Sequence, residues 1–396
     1  MGRYAVKAGG PPATGFCRLV PSRAAVLFLA AFLLASCTGS PSSPGSAATP
    51  GGSISSSIPV SPGTGTTSGS VPPAVPQKLE IQQKLDAGLQ LPWSVVFLPD
   101  GTAIVSERDS AQVKSIRDGR TTTIGEVTGV VPGGEGGLLG LALSPGFASD
   151  HWLYAYFTSA TDNRIARMRL LEEPRGTLRL GSPEVVFSGI SKASTHNGGR
   201  IRFGPDGFLY VGTGDSQRRE QPQDTHALGG KILRLTPEGR AAPGNPFGDN
   251  PAYSYGHRNV QGLAWDSEGR LWASEFGPDV DDELNLITPG GNYGWPTVTG
   301  APGRSGFIDA KVVWPSTSDA SPSGLEIVDG VAYTGALRGE RLWVVPLNGE
   351  NAGSPVAYFT GEYGRLRDVA KAPDGTLWVL SNNRNPDFAL ILRPSS

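Results

Sequence analysis

One phrase recurs along this chain and restricts its fold more than any other feature: a turn of the Asp-Gly kind followed at once by a short apolar strand. Leu98-Pro99-Asp100-Gly101 leads into Ala103-Ile104-Val105, and Gly204-Pro205-Asp206-Gly207 into Phe208-Leu209-Tyr210-Val211. Ser267-Glu268-Gly269 leads into Leu271-Trp272-Ala273, and Ala372-Pro373-Asp374-Gly375 into Leu377-Trp378-Val379. Gly101, Gly207, Gly269 and Gly375 stand 106, 62 and 106 positions apart. Half of 106 is a plausible unit, so each long gap has room for one weaker copy. His151-Trp152-Leu153-Tyr154-Ala155-Tyr156, after a Ser-Pro-Gly turn, and Gly339-Glu340-Arg341-Leu342-Trp343-Val344-Val345 are the candidates. Six units of roughly 50 residues match the repeat of propeller blades. The predicted fold is therefore all-β, a six-bladed β-propeller of four-stranded antiparallel sheets. A pair of β-sandwiches is the competing architecture, and it predicts no repeat of this length. Glycine, 55 of 396 residues, is about double its usual ~7%. With 34 prolines it supplies tight turns and argues against long helices.

The repeats begin only near Lys78. Ahead of them, Arg3, Lys7, Arg18 and Arg23 precede an apolar run from Ala24 to Ala35 that is short for a membrane span and ends in small residues. Residues 1–36 are expected to be a signal peptide. Leu34-Ala35-Ser36-Cys37 resembles a bacterial lipobox, in which Cys37 is acylated; the alternative is a plain secretory signal with an incidental cysteine. With Cys17 in the leader and Cys37 acylated, no disulfide is expected. Residues 37–77 are rich in Ser, Gly, Pro and Thr, too poor in large apolar groups to offset their ordering entropy. They read as a tether to a domain over 78–396, held at the outer face of the cell membrane through the lipid alone.

Charge excludes one class of partner. Lys+Arg total 34 and Asp+Glu 36, a net of -2, which leaves no footprint for nucleic acid. Two cysteines exclude a Cys-based zinc or iron–sulfur site.

A propeller gathers its site from loops of several blades, so polar residues in glycine-rich loops are the candidates. Ser194-Thr195-His196-Asn197-Gly198-Gly199-Arg200 sets a histidine among small residues, where its imidazole can accept a proton from a close ligand. His196 is either a general base or a loop histidine satisfied by backbone groups. In Tyr255-Gly256-His257-Arg258-Asn259, Arg258 offers a fork of donors to a carboxylate or developing oxyanion, with Asn259 beside it. A structural arginine between blades is the alternative, and His257 is expected to point away. Glu275, Asp279, Asp281, Asp282 and Glu283 crowd five carboxylates into nine positions, ahead of Asn292-Tyr293-Gly294-Trp295. They suit Ca²⁺ or a solvated acidic turn, and the spacing is not an EF-hand. Strand alternation puts Arg365 and Arg367 on one face, where they require an anion: a ligand with several carboxylates, or Glu362 and Asp368 of the chain itself. His151 and His226 read as solvent-facing.

Taken in order, Gly134-Glu135-Gly136-Gly137-Leu138-Leu139-Gly140, the His196 loop, Gly256-His257-Arg258-Asn259, the segment from Gly277-Pro278 to Trp295, and Arg365-Leu366-Arg367-Asp368 resemble the soluble quinoprotein glucose/sorbosone dehydrogenases, which include bacterial aldose sugar dehydrogenases. The resemblance runs from Leu79 to Arg393. It implies a six-bladed propeller binding pyrroloquinoline quinone (PQQ) and Ca²⁺, an aldose substrate and an external electron acceptor. It implies that His196 takes the anomeric hydroxyl proton while hydride passes to the quinone, leaving a lactone. Arg258 and Asn259 match residues that contact quinone oxygens, and Glu135 stands where relatives often carry Gln. Arg365 and Arg367 match the pair holding cofactor carboxylates. The Gly277 and Pro278 carbonyls match those holding the cofactor's Ca²⁺, a Lewis acid on the quinone. Glu283 and Tyr293 match a second, structural calcium site.

One departure stands out. Relatives commonly offer the cofactor a lysine from the strand that here reads Leu342-Trp343-Val344-Val345-Pro346-Leu347-Asn348, and this chain has no lysine between Lys311 and Lys371. One lost charge-assisted contact is worth ~1.5 to 3 kcal/mol, about ten- to a hundredfold in affinity. Its absence favours a second expectation, a non-catalytic propeller stabilised by calcium that binds carbohydrate or a protein. A third, a calcium-dependent lactonase, needs a cage of carboxylates at the channel centre.

Overall fold

The computed structural model describes residues 75–394 apart from 77 and 175. The expected signal peptide, Cys37 and nearly all of the expected tether lie outside the described residues. The last part of that tether, Val75-Pro76, packs on the domain: Val75 against the apolar cluster around Phe388, and the Pro76 carbonyl accepting the Tyr358 hydroxyl.

Six antiparallel sheets follow one another along the chain. Blade 1 covers residues 92–126, blade 2 138–190, blade 3 201–255, blade 4 260–314 and blade 5 322–358. Blade 6 joins three strands of 366–394 to the N-terminal strand Leu79–Leu89, which pairs with Asp387–Pro394 from Leu79↔Pro394 to Leu89↔Asp387. The propeller is therefore closed by a strand from the start of the domain. Two sheets carry five strands rather than the expected four. Thr177–Leu180 adds to blade 2, and the outer edge of blade 5 is split into Asn351–Ala352 and Val356–Tyr358, both paired with Arg341–Asn348.

In blades 1, 3, 4 and 6 the recurring Asp-Gly turn joins the innermost strand to the second. In blade 5 the expected copy at Gly339 is out of phase, since it joins the second and third strands. The equivalent hairpin is Val328-Asp329-Gly330-Val331, where Val328 pairs Val331 and both turn residues have positive φ, 50° and 77°. That geometry belongs to a two-residue hairpin, which Asp-Gly tolerates with least strain.

The core consists of seams between neighbouring blades. Ile104 and Val113 of blade 1 meet Leu141 and Leu153 of blade 2; Tyr154 and Ile165 meet Leu209 and Val211; Tyr210 and Ile232 meet Leu263 and Leu271. Trp272 and Leu284 meet Leu325 and Val345; Tyr333 and Leu342 meet Val369 and Leu377; Leu380 and Ala389 close the ring on Val95 and Val105. Middle strands are thus buried on both faces, as in Ala103–Glu107 and Leu209–Gly212. Their sequences are mainly apolar for that reason, the polar residues Ser106 and Glu107 coming at the end of theirs.

Polar side chains fill the middle of the channel. Arg200 Nε donates to the Gln261 carbonyl (2.9 Å), Nη1 to Ser94 Oγ (3.2 Å), and Nη2 lies 2.9 Å from Asp368 Oδ1. Asp368 Oδ2 accepts the Val95 N–H at 2.9 Å. Nearby, Arg202 donates twice to Glu326, at 2.9 and 3.1 Å. This plug belongs to blades 1, 3, 4, 5 and 6, and it divides the channel into two cavities.

Candidate active site

One cavity, about 370 Å³, opens among the loops that carry the sequence-predicted residues, and its size suits a small-molecule site. His196, Glu135, Arg258, Gly277, Pro278, Arg365 and Arg367 all line it, although they come from five separate stretches of chain. Gln261, Trp93, Asp282, Arg108, Arg338 and Arg384 complete much of the wall.

His196 sits at φ 58°, left-handed backbone that a loop of glycines makes accessible. Its backbone N–H donates to Glu135 Oε2 at 2.7 Å, and its ring Nδ1 lies 2.7 Å from Asp215 Oδ1. Asp215 is almost fully buried. Its Oδ1 also accepts the Gln217 N–H and its Oδ2 the Trp295 indole N–H, each at 2.8 Å. Burial alone would raise this carboxyl; His196, Gln217 and Trp295 instead bring it below the ordinary range. An ionised Asp215 on Nδ1 leaves Nε2 as the ring's free acceptor, the arrangement of a general base with its orienting carboxylate. Sequence reasoning missed Asp215. It follows Gly212-Thr213-Gly214 at the end of a middle strand, and Gly214 is required there, since a Cβ would lie 2.0 Å from the His196 carbonyl oxygen.

Cations dominate the wall. Six guanidinium groups, Arg108, Arg258, Arg338, Arg365, Arg367 and Arg384, face two carboxylates, Glu135 and Asp282. Arg367 is buried between the Gln261 amide oxygen (3.2 Å) and Ser323 Oγ (3.3 Å), and its Nε has no partner. Burial, then the charges of Arg108 and Arg365, pushes it down to about 9. Arg365 is lowered as well, by burial and, against the opposing pull of Glu340, by Arg384, Arg108 and Arg338. The alternative partners do not serve the pair: Asp368 is engaged with Arg200 and the Val95 N–H, and no ion pair joins Glu362 to either arginine among the described residues. Like charges crowded this way demand a polyanion.

Donors without acceptors lie at or just behind the wall; Asn259, unlike Arg258, is not among the lining residues and sits behind Gly198. Asn259 is fully buried, its Oδ1 accepting the Gly198 N–H at 2.9 Å, which fixes the amide's orientation and leaves Nδ2 unpartnered. Arg258 donates from Nη1 to the Gly277 (2.5 Å) and Phe276 (3.2 Å) carbonyls, lies over the Trp295 ring, and keeps Nε unpartnered. Its backbone N–H goes to Glu275. His257 points away from the cavity, bridging Glu275 (2.7 Å) and Ser254 (2.8 Å) and stacking on Tyr293. A buried donor without a partner is costly in a finished structure and expected in a ligand site.

These residues fit PQQ and its metal. Three carboxylates on a planar quinone answer the arginines, and quinone oxygens answer the free N–H groups of Arg258 and Asn259. Gly277 and Pro278 have carbonyl oxygens, hard donors of the type Ca²⁺ selects. That of Gly277 is held here by Arg258 Nη1, so a bound cation would have to share it with the guanidinium or displace that group. Asp282 spends both oxygens on the Gly277 (2.8 Å) and Ser321 (2.6 Å) N–H groups. A second void, about 10 Å³, lies between Glu275, Glu283 and Tyr293. Burial and Glu275 push Glu283 up to about 8, and the buried Asn285 Oδ1 has no partner. Two confined carboxylates are the donor type a hard cation takes. Each oxygen already accepts a hydrogen bond, Glu283 from the Gly300 N–H (2.6 Å) and Asn285 Nδ2 (2.9 Å) and Glu275 from His257 (2.7 Å) and the Arg258 N–H, so a cation here would share those oxygens. The Tyr293 hydroxyl is not free for it, since it donates to the Leu286 carbonyl (2.6 Å) and accepts the Thr288 N–H (2.8 Å); main-chain oxygen is what Tyr293 has to offer. No lysine is among the residues lining the cavity; Arg338, in the turn just before the strand where relatives carry one, lines it and donates to Thr317 Oγ1 at 3.1 Å.

Comparison with known proteins agrees with this geometry. A family model described as Glucose / Sorbosone dehydrogenase matches residues 89–391. A solved structure titled as the PQQ-bound form of an aldose sugar dehydrogenase from Streptomyces coelicolor is 52% identical, spans 82% of this chain and 99% of its own, and superposes with a TM-score of 0.78. The aldose sugar dehydrogenase of Escherichia coli is 30% identical over 350 residues, 78% of this chain and 91% of that protein. Quinoprotein glucose dehydrogenase B of Acinetobacter calcoaceticus is 30% identical over 284 residues, 63% of this chain and 59% of that protein.

Proposed function

The chain belongs to the glucose/sorbosone dehydrogenase family, and from that premise we propose that it is a PQQ- and Ca²⁺-dependent dehydrogenase that oxidises the anomeric hydroxyl of an aldose to a lactone and passes the electrons to an external acceptor. The observation that carries this is one cavity holding an imidazole–carboxylate pair among six guanidinium groups.

Residues of the chain divide the work. His196 Nε2 takes the hydroxyl proton, and Asp215 holds the ring by Nδ1 and stabilises the imidazolium that forms. Arg258 Nε and Asn259 Nδ2 donate to the oxygens on which negative charge develops, from buried positions that need no reorganisation. Arg338, Arg365 and Arg367 hold the cofactor's carboxylates. When bound, PQQ would supply the two-electron acceptor for the hydrogen that leaves carbon with its electron pair, and Ca²⁺, which the Gly277 and Pro278 carbonyls would help to hold, would supply Lewis-acid polarisation.

Titration of the purified protein with PQQ and CaCl₂ should change the cofactor's absorbance and give dye reduction with some member of an aldose panel, with lactone as product. Spectral binding without turnover on any sugar would return the protein to the non-catalytic class. Calcium alone should raise the melting temperature, and Glu283→Gln should abolish that rise while leaving the fold intact in its absence.

Export and acylation at Cys37 complete the proposal, supported by the basic leader and the lipobox-like Leu34-Ala35-Ser36-Cys37. Cys37→Ser should move the protein from the membrane fraction to the soluble one.

A further inference from the structure

Lys231 opens a middle strand of blade 3, Lys231–Leu235, directly after Gly229-Gly230. It is fully buried and does not line the active cavity. Its Nζ donates instead to three main-chain carbonyls: Gln221 at 2.7 Å, Gly229 at 2.8 Å and Pro222 at 3.1 Å. Three donors meet three acceptors, and a neutral amine, with two N–H groups, could serve only two of them. Burial pushes the group down to about 7, Asp224 being the charged neighbour that favours the ammonium.

The caged carbonyls belong to the 215–230 loop, which starts at Asp215 and passes over the end of blade 3. The Pro222 carbonyl also accepts the Gly256 N–H (2.9 Å), two residues before Arg258. Gln223 donates to the Trp295 carbonyl (2.8 Å), and the Trp295 indole donates to Asp215 (2.8 Å). At the loop's start the Ser216 N–H donates to the His196 carbonyl (3.1 Å) and the Gln217 N–H to Asp215. The Trp295 backbone N–H also donates to the Gly256 carbonyl (2.8 Å), the Arg218 N–H to the Asp215 carbonyl (2.8 Å) and the Gln221 N–H to the Arg218 carbonyl (3.0 Å). Hydrogen bonds therefore run from Lys231 through Pro222, Gly256, Trp295, Asp215, Arg218 and Gln221 back to Lys231.

We propose that Lys231 is a positioning residue for the His196–Asp215 pair, an internal cation that gathers three carbonyls of the 215–230 loop and so sets how Asp215 meets the imidazole. It touches neither sugar nor cofactor. The catalytic meaning of the proposal rests on His196 being the base, but its structural content does not.

Nuclear magnetic resonance on isotope-labelled lysine and histidine tests it without sugar or quinone. The unmodified protein should show one slowly exchanging lysine ammonium below the group's value of about 7, and a downfield, protected His196 Nδ1 proton. In Lys231→Met the ammonium signal should vanish and the Nδ1 proton lose its protection, while PQQ affinity stays within about threefold. With an aldose that turns over, kcat should fall by about ten- to a hundredfold, as loss of an orienting partner does, with KM little changed. Met168→Ala, a cavity in the blade 1–2 seam, serves as the control that destabilises without moving the Nδ1 signal. Should Lys231→Met not fold, Lys231→Gln and the wild-type ammonium signal still decide. Absence of a protected ammonium, or a His196 proton unchanged in the variants, overturns the proposal; an altered proton in a protein that oxidises no sugar overturns the dehydrogenase reading alone.

Discussion

Asp215 shows at single-residue scale how burial is turned to use. A depressed folded pKa contributes stability that is complete above the unfolded value and drains as pH falls through the folded one. Melting temperatures of wild type and Asp215→Asn should differ at neutral pH, begin to approach each other as pH falls past the ordinary Asp value of ~3.9, and converge only below the lowered folded value. In turnover, His196→Asn should cost about a hundred- to ten-thousandfold in kcat while PQQ still binds, which spectral titration reads directly. Arg338 carries a separate prediction: Arg338→Ala should weaken PQQ about ten- to a hundredfold, and Arg338→Lys should restore most of that affinity. Sequence patterning found His196, Arg258 and the Arg365/Arg367 pair because each sits inside a run of glycines or a strand with a visible period. Asp215, Arg338, Arg108 and Arg384 escaped because each is one polar residue in an ordinary turn, and only closure of the ring brings them together.

Secondary elements matter here chiefly at their ends. Gly214 follows the strand Leu209–Gly212 and lies so close to the His196 loop that a Cβ would meet the His196 carbonyl carbon at 2.4 Å and Asn259 Oδ1 at 2.9 Å. Gly214→Ala must displace backbone on both sides of the base. A shift near 1 Å at a reacting group costs about a hundredfold, so kcat should drop on that order even where circular dichroism reports an intact propeller. Strand phase was harder to read than strand existence. The Gly339 turn and the Asp329-Gly330 turn are both short and glycine-bearing, and nothing local says which opens a blade. The outermost strands were equally hidden: Glu184–Ile190 has no clean alternation and about half of it is exposed, having a neighbour on one edge only.

For the whole ring, the channel plug does what no single sheet can. Arg200 and Asp368, both buried, connect blade 3 to blade 6, and the Val95 N–H adds blade 1. Removing one member of a buried ion pair typically costs about 3–5 kcal/mol because the other charge stays behind. Asp368→Asn should therefore lower the unfolding free energy by that amount in urea, and it should also disturb Arg367 next to it, weakening PQQ. The six-fold architecture was legible because identical seams impose identical strand patterns. The plug was not, since its members are far apart in the chain and look like ordinary strand-end polar residues.

Closure by the Leu79–Leu89 strand has a consequence for synthesis. That strand leaves the ribosome roughly 300 residues before its partner, a wait of about 15 to 60 s at ~5–20 residues per second. Throughout that interval the nascent protein is an arc with two raw edges, each able to pair with a stranger. Those edges stay open until Asp387–Pro394 emerges to pair with Leu79–Leu89.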